Sequence, residues 1–336
     1  MKKWHYPFLA FLIIGTILIL SGNKPTYRTA EGAVFGTFYH ITYKHTQDLQ
    51  EQIVSSLAQV DSSLSMFNPE STISAVNSSN SIQVNDSMFL YVVRLAQQVS
   101  GWTDGAFDIT VAPAVNAWGF GFKHKEEILA DTTILDSLRN IVGYTQFHED
   151  NGFITKDKPG IMLDCSAIAK GYGCDVVAGM LRNYGISDFM VEIGGEVVVS
   201  GKNPKDKIWH IGVSKPKEDE SDGSELQTIL EITDMAMATS GNYRNFYYEN
   251  GRRYAHTIDP KSCKPVQHSL LSATVLAQNC ATADALATSM MVMGLERSME
   301  VCQSLEGIEA YFIYQNENGE LCTESTAGFA EYLPEE

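Results

Sequence analysis

Asp284 and Thr288 stand four residues apart in the run Ala283-Asp284-Ala285-Leu286-Ala287-Thr288. On a helix that spacing puts both side chains on one face. A carboxylate and a hydroxyl are hard oxygen donors, suited to Mg2+ rather than Zn2+, and the alanines around them let another segment approach. An aspartate that merely offsets the helix dipole, beside a packed threonine, fits the same spacing. A second run, Asp164-Cys165-Ser166-Ala167-Ile168-Ala169-Lys170-Gly171-Tyr172, reads as a strand that ends at an aspartate and a helix that opens on small residues. Amides at such a start attract anions, and Lys170 adds a cation. A capped helix with a surface lysine is the plainer account.

Three further stretches are less specific alone. Gly105-Ala106-Phe107-Asp108-Ile109-Thr110, followed by Pro113 and Trp118-Gly119-Phe120-Gly121, could wall a planar ring or form a packed turn. Glu192-Ile193-Gly194-Gly195-Glu196 puts paired glycines inside a strand, a mark of a bulge or of a close approach. It opens no helix, so it is not a dinucleotide fingerprint. Thr239-Ser240-Gly241-Asn242-Tyr243-Arg244 precedes Tyr254-Ala255-His256-Thr257-Ile258-Asp259-Pro260. A histidine beside a phosphate could serve as a general base, since its unperturbed pKa lies near neutrality; a hydrogen-bonded histidine in a turn is the bland alternative.

These residues need a scaffold, and the periodicities supply one. Alternation over residues 34–43 predicts a first strand. Ile53, Leu57, Val60 and Leu64 place an amphipathic helix over 48–64. The Ser- and Asn-rich stretch 70–85 reads as surface loop. A helix follows over 86–100, with Asp86 or Ser87 as N-cap and Gly101 beyond its end. Asp131 is placed as the cap of another helix, through Asn140. A strand at 161–164 leads into a helix over 166–183, stopped by Gly185. Strands are expected at 189–199, 208–213, 226–239 and 272–277, with an acidic solvated loop at 215–225. Asn279 or Thr282 starts a helix that ends at Gly294. A last helix at 295–304 and a strand at 310–314 complete the reading. Helices and strands do not alternate regularly, which predicts an α+β fold rather than a doubly wound parallel sheet.

The chain has 336 residues, of which 44% are hydrophobic and 19% charged, with a net charge of −17. That charge argues against nonspecific nucleic-acid binding. Six cysteines form no CxxC and no Cys/His metal spacing, and buried free thiols are expected for most of them. Lys2, Lys3 and the apolar run at 8–20 read as an export signal or N-terminal membrane anchor spanning 1–23. Leu20-Ser21-Gly22 resembles the end of a lipoprotein signal, but Asn23 stands where the lipidated cysteine would be. Residues 24–31 read as a linker, and the structured pattern runs from 32 to 332.

Together and in order, Gly36-Thr37 and the motifs above resemble the ApbE family of FAD:protein FMN transferases, over about residues 33–315. The Ala-Asp-Ala-Leu-Ala-Thr and Ser-Gly-Asn-Tyr-Arg runs are the most specific. The resemblance implies a single mixed α/β domain with largely antiparallel sheets. It implies that FAD is cut at its pyrophosphate, that FMN passes through a phosphoester bond to a Thr or Ser hydroxyl of a partner protein, and that AMP leaves. It implies Mg2+ held by Asp284, Thr288 and the Ala167 carbonyl, with Ala287 as an additional candidate. The FAD contacts it implies are Phe35, Phe67, Ala106, Phe107, Asp108, Asp164, Lys170 and Ile258. His256 is our candidate for activating the acceptor hydroxyl. The acceptors implied are flavoprotein subunits of membrane electron-transfer complexes that carry a Ser/Thr flavinylation motif, and the place of work is the periplasmic side of the bacterial inner membrane. Phe35 stands where the family often has Met, Phe67 where an aromatic such as Trp is seen, and Cys263 where Gly is common. An FAD pyrophosphatase using water as acceptor and a noncatalytic FAD-binding protein are the competing readings. A redox flavoprotein is disfavoured by the lack of a Rossmann fingerprint.

Overall fold

A computed structural model describes residues 8, 10–13, 24–121, 132–216, 225–242, 246–249 and 252–334. The segment read as a signal or anchor, the acidic stretch at 215–225 and the cap at Asp131 therefore lie wholly or mostly outside the described residues. Thr26–Val34 (β1) and Thr37–His45 (β2) form a hairpin, turned by Phe35 and Gly36 at φ +50° and +75°. Residues 26–31 are therefore a paired strand and not a linker. Two consecutive positive φ angles match the right-handed twist of the flanking strands.

Helix α1 is Gln50–Leu64, α2 is Thr72–Asn77, β3 is Ser81–Gln83, α3 is Ser87–Trp102 and α4 is Ala112–Ala117. Helix α2 lies in the stretch read as loop; it is six residues long, too short to show a period, yet its Ile73 and Val76 are fully buried. Asp86 caps α3 by accepting from Met88 N and Phe89 N. Next come α5 (Thr132–Arg139), β4 (Phe147–Asp150), β5 (Phe153–Lys156) and α6 (Ala169–Asn183). The strand expected at 161–164 does not form; the segment is tied down by Asp164 N donating to Ile109 O at 2.7 Å.

Strands β6 (Phe189–Ile193) and β7 (Glu196–Ser200) replace the single predicted strand, because Gly194 and Gly195 at φ +64° and +105° turn the chain back on itself. Strands β8 (Trp209–Ser214) and β9 (Leu226–Ile232) pair with each other. Then follow β10 (Met235–Gly241), β11 (Phe246–Glu249), β12 (Arg252–Ala255), β13 (Ile258–Asp259), β14 (Lys264–Pro265) and β15 (Leu270–Ala277). Helices α7 (Cys280–Met293) and α8 (Leu295–Ser304) and strands β16 (Glu309–Gln315) and β17 (Leu321–Ser325) complete the chain before a short 3-10 segment at Ala327–Tyr332.

Eight strands form one antiparallel sheet in the order β1-β2-β6-β7-β10-β15-β16-β17. The expected α+β class with mostly antiparallel sheets is what the chain adopts. One face of the sheet is covered by α1, α6 and α7, through Ile53, Leu57, Val177, Leu181, Met290 and their neighbours. The other face packs on β8–β9 and Phe329. Covered on both sides, β7 is buried along its whole length. All six cysteines are free thiols, and five are buried.

Helix α7 is buried all round, as an apolar helix must be inside a core. Its first turn is capped twice. Asn279 accepts from Thr282 N, and Asp175 of α6 accepts from Cys280 N and Ala281 N at 2.8 Å each. Gly171 lets α6 and α7 touch. A Cβ there would fall against the Cys280 carbonyl oxygen and 2.8 Å from Asp284 Cβ. A methyl group at this contact must push the helices apart. Gly171→Ala is expected to cost about 1–3 kcal/mol of stability, read as a lower urea midpoint with an unchanged slope; a midpoint equal to that of the wild type would show that the contact is slack.

Candidate active site

A cavity of about 920 Å3 opens beside α7 and collects residues from widely separated parts of the chain. The β1–β2 turn gives Phe35 and Gly36, and the turn after α1 gives Phe67. Ala106, Phe107 and Asp108 come from the loop before α4, and Asp164, Ala167 and Lys170 from the approach to α6. The β6–β7 turn adds Gly194, Gly195 and Glu196. Strand β10 adds Thr239 and Ser240, the stretch around β13 adds His256 and Ile258, and α7 adds Asp284 and Thr288. Ala287 does not line the cavity; its side chain is fully buried in the core.

Phe35 reaches its place through a left-handed backbone that a non-glycine residue adopts at a cost. Its ring lies over Gly173, where a Cβ would come within 2.8 Å of it. Phe67 is 78% exposed, so it forms the rim. Asp108 is buried and accepts at Oδ1 from both the amide and the hydroxyl of Thr110, at 2.8 and 2.7 Å. Burial outweighs these bonds and pushes its pKa up to about 6. Asp164 accepts from Ser166 N and Oγ at 2.8 and 2.6 Å. Its pKa too is raised by burial, against the pull of Ser166.

At the α6–α7 contact three charges meet. Lys170 Nζ pairs with Glu196 Oε1 and lies 4.0 Å from Asp284 Oδ1. Burial works against the ammonium, but the Asp284 and Glu196 carboxylates outweigh it and hold the Lys170 pKa above its usual value. Glu196, taken out of water beside Asp284, is pushed well up. Asp284 Oδ2 accepts from Gly171 N at 3.0 Å. In a helix begun one turn earlier that amide would reach back to the Ala167 carbonyl; here it leaves the carbonyl outside the helical ladder. Thr288 Oγ1 and Ser240 Oγ share a hydrogen bond of 3.1 Å. His256 stands edge-on to Phe120, with ring centroids 6.4 Å apart.

Among the described residues no three His, Cys, Asp or Glu side chains cluster in a way that could hold a metal. The donor set at α7 is of another kind, with one carboxylate, one hydroxyl and one backbone carbonyl. That set, beside the buried and unpartnered Glu196 Oε2, fits a hard cation that keeps ligands from its substrate or from water. Two residues at the site carried no role in the sequence reading. Glu196 was visible as a carboxylate that opens an apolar strand just after two glycines. Ser240 stands in the specific Ser-Gly-Asn-Tyr-Arg run, but its link to Thr288 is made across 48 residues and no local spacing shows it.

A sequence profile described as the ApbE family matches residues 35–312. An FAD:protein FMN transferase of Vibrio cholerae is 36% identical over 329 residues, which is 95% of this chain and 96% of that protein. An FAD:protein FMN transferase of Haemophilus influenzae is 34% identical over 314 residues, 89% of each chain. A solved structure of the flavin transferase ApbE from Vibrio cholerae superposes with a TM-score of 0.84 over 92% of this chain and 100% of that one, at 36% identity. The apo flavinyl transferase ApbE of Pseudomonas stutzeri gives 0.82 over 92% and 98%, at 30% identity. With the profile spanning most of its length and relatives this similar along nearly all of theirs, the chain belongs to the ApbE family.

Proposed function

We propose that this protein is a Mg2+-dependent FAD:protein FMN transferase that works on the periplasmic side of the inner membrane. One observation carries the reading: motifs scattered from Phe35 to Thr288 converge on a single cavity, and its relatives with the same fold are named for this reaction. A cavity of about 920 Å3 stands at the upper end of ligand pockets, roughly 300–1,000 Å3, and suits a dinucleotide. Phe35, Phe67, Ala106, Phe107 and Ile258 give apolar surface for the rings. Lys170 faces the pyrophosphate as a fixed cation.

Asp284, Thr288 and the Ala167 carbonyl would hold Mg2+. Bound there, the ion would neutralise charge on the pyrophosphate oxygens. His256 takes the proton from the acceptor hydroxyl. The hydroxyl oxygen then attacks the phosphorus of the FMN half, and the bond to AMP breaks. The acceptor is an exported or membrane-bound flavoprotein subunit with a Ser or Thr in its flavinylation motif. The positive, apolar N-terminus supports export and leaves attachment to the membrane as part of the proposal.

With FAD, Mg2+ and an acceptor domain bearing such a motif, the wild-type chain should release AMP and add one FMN mass to the acceptor. Asp284→Ala should abolish both products. AMP without any adduct would instead indicate a pyrophosphatase. His256→Ala should slow transfer roughly 10^2- to 10^4-fold while FAD binding, followed by flavin fluorescence, persists; an undiminished rate would remove His256 from the mechanism.

Asp108 gives a test of a different kind. Its folded-state pKa of about 6 is above the unfolded value of 3.8, so the unfolded chain ionises first as pH rises. The buried acid therefore costs stability progressively between about pH 4 and pH 6. Asp108→Asn should gain about 1–3 kcal/mol relative to wild type between pH 4 and pH 7 and lose FAD affinity at the same time. Urea midpoints at four pH values decide it. A difference between the two proteins that stays flat with pH would mean that the carboxyl is not held neutral.

A further inference from the structure

We infer that Glu196 is a positioning residue: by holding the Lys170 ammonium it keeps that cation off Asp284 and leaves the Asp284 carboxylate open to a divalent cation. This rests on the reading of Asp284 as a metal ligand. The three side chains come from α6, β7 and α7, and each carboxylate side chain is at most 4% exposed. Lys170 pairs directly with Glu196 and sits 4.0 Å from Asp284 Oδ1. Asp284 Oδ2 is already taken by Gly171 N at 3.0 Å. The lysine and an incoming cation therefore compete for the same oxygen.

A lysine stem is flexible enough to swing between the two acids. With Glu196 gone, its ammonium would keep one buried partner, and a buried charge without a partner is strongly disfavoured. It would close the 4.0 Å gap and occupy Oδ1. The placement of Glu196 suits this role. Strand β7 is otherwise Val-Val-Val-Ser, and a carboxylate at its head gains nothing from burial. The turn at Gly194 and Gly195 brings it to the cavity wall, where its Oε2 has no hydrogen-bond partner among the described residues. A purely structural ion pair would have both oxygens satisfied.

The test is Mn2+ binding to the full chain without FAD, followed by loss of the free-ion electron paramagnetic resonance signal. Asp284→Ala should lose the site. Glu196→Gln should raise the Mn2+ dissociation constant about tenfold, and Lys170→Met should leave it equal or lower. In the Lys170→Met background, Glu196→Gln should change affinity by less than threefold, because the competitor is already gone. The same tenfold loss in both backgrounds would show that Glu196 acts on the ion directly and would overturn the inference. So would a Glu196→Gln protein that binds as the wild type does. A wild-type chain with no Mn2+ site sensitive to Asp284→Ala would remove the metal reading itself, and this inference with it. Should Glu196→Gln not fold, Glu196→Asp, which keeps the charge on a shorter arm, should bind more weakly than wild type and regain affinity when Lys170→Met is added; weakening that persists would count against the role.

Discussion

Helices α6 and α7 approach until the backbone of Gly171 touches the Cys280 carbonyl and its amide reaches Asp284. Little else in the site could be arranged as it is without that contact. It brings the one lysine of the α6 entry beside two acids, and it leaves the Ala167 carbonyl outside the helix. It also lets Asp175 cross from α6 to cap α7. A side chain at position 171 would strain these three arrangements together. The contact is thus a packing constraint whose consequence is chemical: a helix terminus, a carboxylate and a hydroxyl share one wall of a cavity.

Burying so much charge costs stability, and the costs fall where the sheet and helices over-determine the geometry. Asp108 and Asp175 are both pushed to about 6 by loss of water, though each keeps backbone amides as partners. Asp175 also meets the positive end of α7, where a carboxylate is favoured. Lys170 is kept charged by its two acids. Groups held this way need little reorganisation when a charged ligand arrives, which is what electrostatic catalysis asks of a site.

The longer helices were legible, and α1, α7 and α8 fall within two residues of their predicted bounds, whereas the six-residue α2 and α4 are too short to show a period. The hairpins were not legible. Most of β1 reads as a linker, with the first strand expected only from residue 34, and alternation runs straight through Gly194-Gly195, so β6 and β7 read as one strand. Period two carries no sign of direction, and a phenylalanine gives no warning of a positive φ. The site was legible in its motifs but not in its links. Glu196 to Lys170 and Ser240 to Thr288 are contacts between elements far apart in the chain, and no local spacing encodes them.

Cys263 shows how a non-glycine residue can hold a left-handed turn at the cavity wall. A glycine there would take positive φ freely, whereas Cys263 holds φ +55° at a cost of order 1–3 kcal/mol. Its surroundings fix that conformation from several sides. Cys263 N donates to Asp259 O at 2.8 Å, and Trp118 Nε1 donates to Cys263 O at 2.7 Å. The thiol is fully buried in a cluster with Trp118, Leu138 and Ile258. A glycine would relieve the backbone but leave a gap in that cluster, so the two effects oppose each other. The turn keeps its shape either way, because the indole and the Asp259 carbonyl bind backbone atoms that both residues possess. Ile258 and Pro260 stay on the cavity wall for that reason. The backbone conformation, not the glycine itself, is what the site requires at this position.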